Sequence, residues 1–288
     1  MKYSTNQILY RALEPIHVGS GGFRLGRVDM TIAREPGTGL PKIPGTSLAG
    51  AARAYAALLY GRPEAGGQHL HYKPEPGCPI IHTFGTAHGD QGQAGRVSFG
   101  DARILLFPVA TMQGPVFVTT AELLKDAGIS AIGPSERESL AATFDISRIN
   151  LGWLLFEKVE KATAPTGWGK LSGVKDKMVL VHPSLFPQVV NSNLEVRTSV
   201  SIDPKTGAAE QGALFSYEAI PRATWLMNEL VEDAYGDAMK AVRVENGATW
   251  NTPMEVAKAG LGLMATLGVG GMGTRGFGRM EMVGEVRK

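Results

Sequence analysis

The chain has 288 residues, 43% of them hydrophobic, which is enough for a packed core and too many for a globally disordered polymer. Its formal net charge of +2 excludes a general polyanion binder, so any nucleic-acid contact must come from locally clustered Arg and Lys, exposed backbone N–H groups and stacking side chains. The one cysteine, Cys78, excludes an intramolecular disulfide, and with neither a secretory leader nor an apolar run of about 20 residues in view, a soluble cytoplasmic protein with no membrane contact is expected.

In chain order, Ile8 to Val18 reads as a first strand that runs into the glycines Gly19, Gly21 and Gly22. Val28, Met30 and Ile32 alternate with polar or small residues and suggest a second strand. Pro44-Gly45 breaks the chain, and Thr46 or Ser47 can cap a helix with a stripe of Leu48, Ala51, Ala52, Tyr55, Leu58 and Leu59. Gly61 and then Pro63 end it. Residues 61–95, rich in Gly, Pro, His and Gln, read as a long loop or partly ordered insertion, and Val97 to Val109 resumes strand character. A second variable stretch covers about 122–190.

Asp203-Pro204-Lys205-Thr206-Gly207 is a turn signal between strand-like flanks, which predicts a hairpin over about 198–216. Ala219 to Leu230 gives one more strand or helix. A helix starts near Thr252-Pro253 and runs to about Leu267, and a final strand passes through Met280, Met282 and Val286. The order suggests one α+β core carrying insertions.

Between the last helix and the last strand lie six glycines in eleven positions, Gly268 to Gly278. Such a segment allows close approach and positive φ, and its N–H groups, on Gly270, Gly271, Gly273, Thr274 and Gly276, can hold phosphate oxygens beside the fixed charge of Arg275. Phe277 is placed to stack on a base or simply to pack. Gly268, Gly270 and Gly273 also satisfy the spacing of a dinucleotide fingerprint. That fingerprint follows a strand and opens a helix, and here the order is reversed.

These residues resemble the RAMP superfamily of CRISPR proteins, whose C-terminal glycine-rich loop ends in R-G-F-G, as Arg275-Gly276-Phe277-Gly278 does here. Pro15-Ile16-His17-Val18-Gly19-Ser20-Gly21 is similar to that family's P-x-H-x-G-S/T-G strand end. The stretch Gly26 to Glu35 resembles G-x-x-D-x-P-I-x-R-E of the type III-B (Cmr) backbone subunits, with Thr31 in place of Pro. Ile43-Pro44-Gly45-Thr46-Ser47-Leu48 resembles I-P-G-S/T-S-L, and Ser98 to Val109 resembles S-F-x-D-A-R-L-L-x-F-P-V. The resemblance implies a ferredoxin-like (RRM-like) palm in a single domain over 1–288, with insertions at about 61–95 and 122–190 and a thumb hairpin at about 198–216. It also implies a helical filament of copies on CRISPR RNA, with other Cmr-type subunits, and cleavage of single-stranded target RNA as a divalent-metal endoribonuclease, with Mg²⁺ or Mn²⁺.

By the same resemblance Asp29 is the catalytic and metal-binding carboxylate, able to bind a hydrated ion or to orient the attacking 2′-OH. The bland alternative is a solvated strand acid. His17 is a candidate for acid–base or RNA contact, or else a satisfied structural histidine, and Glu218 is a candidate acid beside the site. Gly19, Ser20, Ser47 and Arg53 are expected to contact RNA, the last two from the helix start, with Arg53 as a solvated surface charge otherwise. Ile202 and Leu214 are candidate wedges between bases, and Lys205 a backbone contact. His69, His71, Cys78, His82 and His88 do not match a strong zinc spacing and read as a polar loop with incidental ligand types. Two rivals remain open: a guide-RNA scaffold without chemistry, and a stand-alone nucleotide-binding enzyme.

Overall fold

A computed structural model describes residues 3–21, 28–67, 75, 77–88, 91–165, 171, 173–210, 214–235, 238–244 and 247–286 of the chain. The fold is mixed α+β, organised on one large mixed sheet.

The first strand, Tyr3–Ala12, lies inside the sheet, one strand from its edge, and both of its faces are apolar. Ile8 and Tyr10 pack into one core cluster, Leu9 into another, and all three are fully buried. It pairs antiparallel with Trp225–Asp233 on one side and with Met280–Val286 on the other. Trp225–Asp233 in turn pairs antiparallel with Ala102–Thr111. In chain order the helix Gly45–Leu59 joins the first strand to Ala102–Thr111, and the helix Pro253–Gly262 joins Trp225–Asp233 to the last strand. The two helices touch so closely that a Cβ on Gly260 would lie 2.0 Å from the carbonyl oxygen of Ala52.

The first strand is shorter than its apolar pattern suggests. The ladder ends at Ala12, because Leu13 and Glu14 both donate to Arg279 O and Pro15 has no N–H to continue pairing. Only an isolated bridge, Ile16 to Ile220, follows. The expected second strand at 28–32 is likewise absent as a ladder. Met30, Ile32 and Arg34 instead make single bridges to three different partners, Tyr217, Gly19 and Pro41. Gly22, Gly26 and Arg27 lie outside the described residues.

The first helix begins at Gly45 and its cap is tertiary. Neither Thr46 nor Ser47 caps it; the Asp101 carboxylate accepts from Gly45 N at 2.8 Å. Gly45 is needed there because a Cβ would meet Phe99 O at 2.1 Å. The helix ends as expected, at Tyr60 before Gly61 with φ +74°.

Among the described residues of 61–95 the partly ordered alternative fits better than a bare loop. Pro63–Gly66 forms a 3₁₀ turn and Pro79–Phe84 a short helix. Ala65, Cys78, Ile80 and Ile81 are buried against Ala56, Ala57, Trp250 and Val256, a satellite core outside the main sheet. Beyond Ala102–Thr111 the sheet continues through Gly114–Thr119 and then through three strands from the stretch 122–190, in the order Met178–Leu180, Leu140–Ala142 and Val159–Lys161. Short apolar triplets between turns build these strands, and their partners lie too far along the chain for periodicity to reveal them.

The hairpin pairs Glu195–Ser199 with Phe215–Ala219. Asp203 builds its turn, accepting from Lys205 N at 2.8 Å and from the Thr206 hydroxyl at 3.1 Å, with Gly207 at φ +68°. The stretch 219–230 resolves into a strand, Trp225–Asp233, preceded by a turn with Ala223 at φ +68°. Thr252 caps the last long helix by accepting from Glu255 N, with Pro253 in the first turn. The chain then leaves the short helix Met264–Leu267 through Gly268 into the final strand, so the helix–loop–strand order rules out a dinucleotide fingerprint.

Candidate nucleic-acid interface

Four segments distant in sequence meet at the base of the hairpin: residues 15–21, residues 28–34, the paired strands of the hairpin, and the glycine loop 268–278. The glycine loop docks through its backbone. Gly271 N donates to His17 O at 2.9 Å, and Gly278 N donates to Pro15 O at 2.8 Å. Gly270, at φ +85°, passes so close that a Cβ would lie 2.5 Å from His17 O. The Tyr55 hydroxyl fixes the start of the loop by donating to Gly268 O at 2.7 Å. Gly270, Gly271, Gly273, Thr274, Arg275 and Gly276 remain exposed. Phe277 does not; it is 2% exposed and packs edge-on against Tyr217, so it supports the loop rather than meeting a base.

Asp29 stands exposed at the edge of this cluster. Its Oδ2 accepts from Ser216 N at 2.7 Å and from the Ser216 hydroxyl at 2.9 Å, and Asp29 N donates to Ser216 O at 3.1 Å. The Ser216 backbone N–H and then its hydroxyl hold the Asp29 carboxyl below the usual carboxylate range, so it is ionised at neutral pH. Such a carboxylate orients a hydroxyl or an ion better than it removes a proton.

Two of the three candidate catalytic groups are buried and engaged in hydrogen bonds within the protein. His17 is 3% exposed, and its Nδ1 lies 2.7 Å from Glu218 O while its ring meets Tyr217 edge-on. The satisfied-histidine alternative therefore holds, rather than acid–base chemistry at the surface. Glu218 is 7% exposed. Its carboxylate clasps Arg34 through both Nη atoms and accepts from Ile32 N at 2.9 Å, so its lone pairs are committed to holding the Asp29 segment against the hairpin.

Gly19 and Ser20 are exposed beside Asp29. Gly19 bridges to Ile32, and the Ser20 and Thr31 hydroxyls lie 2.8 Å apart. Ser47 is half-buried in the first helical turn. Arg53 is half-buried and engaged within the protein: its Nε donates to Ala65 O at 3.0 Å and its Nη1 to Gly85 O at 2.9 Å, which ties both residues to the first helix. On the hairpin, Ile202 and Leu214 are 52% and 67% exposed, and Lys205 is exposed in the turn. Sequence reasoning missed Ser216 and Arg197. Arg197 lies over the Phe277 ring at 4.7 Å, and Arg275 over the Phe215 ring at 5.4 Å.

Among the described residues no group of three or more His, Cys, Asp or Glu is placed to hold a metal ion. The donor set at Asp29 is a single carboxylate. It does not suit a protein-caged ion, but it suits a hydrated divalent ion shared with RNA phosphates. Of the histidine–cysteine loop, His69 and His71 lie outside the described residues, whereas Cys78 is buried in the satellite core.

The model of the RAMP superfamily matches residues 10–281. The CRISPR system Cmr endoribonuclease Cmr4 of Pyrococcus furiosus is 29% identical over 238 residues, 74% of this chain and 76% of that protein. The CRISPR system Cms endoribonuclease Csm3 of Enterococcus italicus is 33% identical over 92 residues, 31% of this chain and 41% of that protein. Among solved structures, the Type III-B Cmr-beta bound to cognate target RNA matches with a TM-score of 0.66 at 18% identity, over 98% of this chain and 99% of that one. Oligomeric Cmr4 from Pyrococcus furiosus matches with a TM-score of 0.59 at 20% identity, over 99% of both chains. At these identities the structural likeness establishes a shared fold. No helix among the described residues is long and apolar enough to cross a membrane.

Proposed function

The chain belongs to the RAMP superfamily, and from that premise we propose that it is the repeating backbone subunit of a type III-B CRISPR effector, binding CRISPR RNA and cutting complementary target RNA at Asp29. The observation that carries the reading is the exposed Asp29 carboxylate, held by Ser216 at the base of the hairpin and beside the glycine loop. The curated relative named Cmr endoribonuclease Cmr4 supports the activity.

The palm is read as ferredoxin-like. Support comes from the strand order Met280–Val286, Tyr3–Ala12, Trp225–Asp233, Ala102–Thr111, antiparallel throughout, with one helix in each half of the chain between its two strands. The whole chain forms one domain, its two insertions added around this palm and its hairpin serving as the thumb. Exposed Ile202 and Leu214 suit insertion between bases, and backbone contacts leave sequence choice to base pairing. Copies stack in a helical filament on the guide, in the cytoplasm, with other Cmr-type subunits. The structure of an oligomeric Cmr4 supports self-assembly.

In the cleavage step Asp29 orients the attacking 2′-OH of the target; the 2′ oxygen bonds to phosphorus as the P–O5′ bond breaks, its proton passes to water and water protonates the departing 5′ oxygen, leaving a 2′,3′-cyclic phosphate and a 5′-OH. The N–H groups of exposed Gly270, Gly273 and Thr274, rather than those of Gly271 and Gly276, which already donate to His17 O and Gly273 O, hold neighbouring phosphates with Ser20, and Arg34 with Glu218 keeps the Asp29 segment in place. A hydrated Mg²⁺ or Mn²⁺ held by Asp29 and RNA would neutralise charge on the scissile phosphate.

The test replaces Asp29 with Ala in the reconstituted complex. Intact target binding with cleavage reduced at least about 100-fold supports the reading. Unchanged cleavage overturns it and leaves the guide-RNA scaffold, with chemistry done elsewhere, as the function.

A further inference from the structure

We propose that Arg197 and Arg275 together form a phosphodiester-binding site at the base of the hairpin, with the rings of Phe277 and Phe215 as their platforms. The inference rests on the RNA-binding function proposed above and assigns half of the site to a residue outside its sequence motifs.

The geometry comes from one aromatic cluster. Phe215 and Phe277 both pack against Tyr217, with ring centroids 5.8 and 5.5 Å away. Arg197 lies 4.7 Å over Phe277, and Arg275 lies 5.4 Å over Phe215. A guanidinium stacked on a ring is held flat and keeps its edge donors for an acceptor, and the fork of those donors matches a phosphate. Phe277 is buried, so the stacking surface presented outward is the cation it carries.

Charge points the same way. Arg275 has no carboxylate within ion-pair distance among the described residues. Arg197 pairs with Glu195 on its own strand at 2.6 Å, but the Arg197 side chain is open to water and that of Glu195 is partly so. Exposed pairs of that kind are weak and exchange readily for a phosphate. Arg197 pairs in register with Tyr217, so it stands on the aromatic face of the hairpin, and the Ser216 side chain that holds Asp29 stands on the other.

The test uses two probes: the CRISPR RNA with the purified chain, and complementary target RNA with the reconstituted complex, the latter carrying Asp29→Ala so that binding is read without cleavage. Arg197→Gln, Arg275→Gln and the double substitution are compared across salt concentrations. We expect at least one probe to bind about threefold to thirtyfold more weakly with each single substitution, and the slope of log affinity against log salt to fall by roughly 0.7 per arginine. Glu195→Gln, which releases Arg197, should tighten the same probe. Arg197→Lys keeps charge but not the stacked fork and should fall between wild type and Arg197→Gln. Unchanged affinity and slope for both probes overturn the proposal, as does weaker binding with an unchanged slope. Should Arg197→Gln prove unstable on thermal melting, Glu195→Gln and Arg197→Lys decide. Silent arginines beside a cleavage-dead Asp29→Ala remove this inference alone, whereas active Asp29→Ala beside salt-sensitive arginines removes the nuclease reading alone.

Discussion

Oδ2 of Asp29 accepts two hydrogen bonds from a residue 187 positions away, one from the N–H of Ser216 and one from its hydroxyl. The carboxylate proposed to act on RNA is thus oriented by the base of the hairpin proposed to enter the RNA duplex.

Ser216→Ala removes the hydroxyl and keeps the N–H. The Asp29 carboxyl should rise from its depressed position toward the ordinary value, followed by NMR titration. Cleavage at neutral pH should fall about threefold to tenfold with target affinity unchanged, as for one lost positioning hydrogen bond. The sign of the stability effect follows from the depressed pKa. The contribution of ionised Asp29 is fully present above the unfolded pKa and is lost as pH falls through the folded value, so the variant's deficit should fade in that acid window. Equal Asp29 titration in both proteins would remove Ser216 from this role.

Glu218→Gln leaves Arg34 without its charged partner. Because Arg34 is partly exposed, the expected loss is about 1.5–3 kcal/mol rather than that of a fully buried pair, measured by denaturant unfolding. Cleavage per folded molecule should fall modestly, about threefold to tenfold, because the Asp29 segment loses part of its clamp. A stable but inactive Glu218→Gln would instead return Glu218 to the chemistry.

Gly260→Ala and Gly262→Ala separate close packing from helix propensity. At Gly260 the new methyl meets Ala52 O at 2.0 Å, and a loss of about 1–3 kcal/mol is expected. At Gly262 nothing lies within 4 Å, and a gain of up to about 1 kcal/mol is expected. Thermal melting of the pair reads both signs.

Asp101→Ala removes the tertiary cap of the first helix. Burial pushes the Asp101 carboxyl up, yet the hydrogen bonds from Lys42 and Gly45 N and the charges of Lys42 and Arg103 hold it below the ordinary value. The loss should be about 1 kcal/mol at pH 7. With a depressed folded pKa, that stabilisation is complete above the unfolded pKa and disappears as pH falls through the folded one. Melting curves of both proteins from neutral to acid pH should therefore converge.

Ile202→Ser with Leu214→Ser tests the hairpin. Both side chains are already exposed, so the melting temperature should stay within about 1 °C. Target cleavage should lose its regular spacing on a sequencing gel. An unchanged cleavage ladder would place the wedge elsewhere.

What was legible in the sequence shares one property, short range. The Asp203 turn, the Gly61 helix end and the Thr252-Pro253 helix start each depend on neighbours within about five positions. Asp29, the glycine loop and the exposed hairpin side chains were legible through motifs of the same kind. The two insertions were not, because short apolar triplets such as Met178–Leu180 become strands only beside partners supplied from far along the chain.

By itself, then, the sequence determined the α+β class, the hairpin, the glycine loop and the identity of the candidate carboxylate. The tertiary structure alone decided which of the candidate residues are exposed and which are buried. It turned His17, Glu218, Arg53 and Phe277 inward and brought Ser216, Arg197 and Asp101 into play. The physical reason is that burial and hydrogen-bond partnership are properties of packed surfaces. The contacts that set them here, such as Asp29 with Ser216 and Arg34 with Glu218, span more than half the chain and leave no local trace.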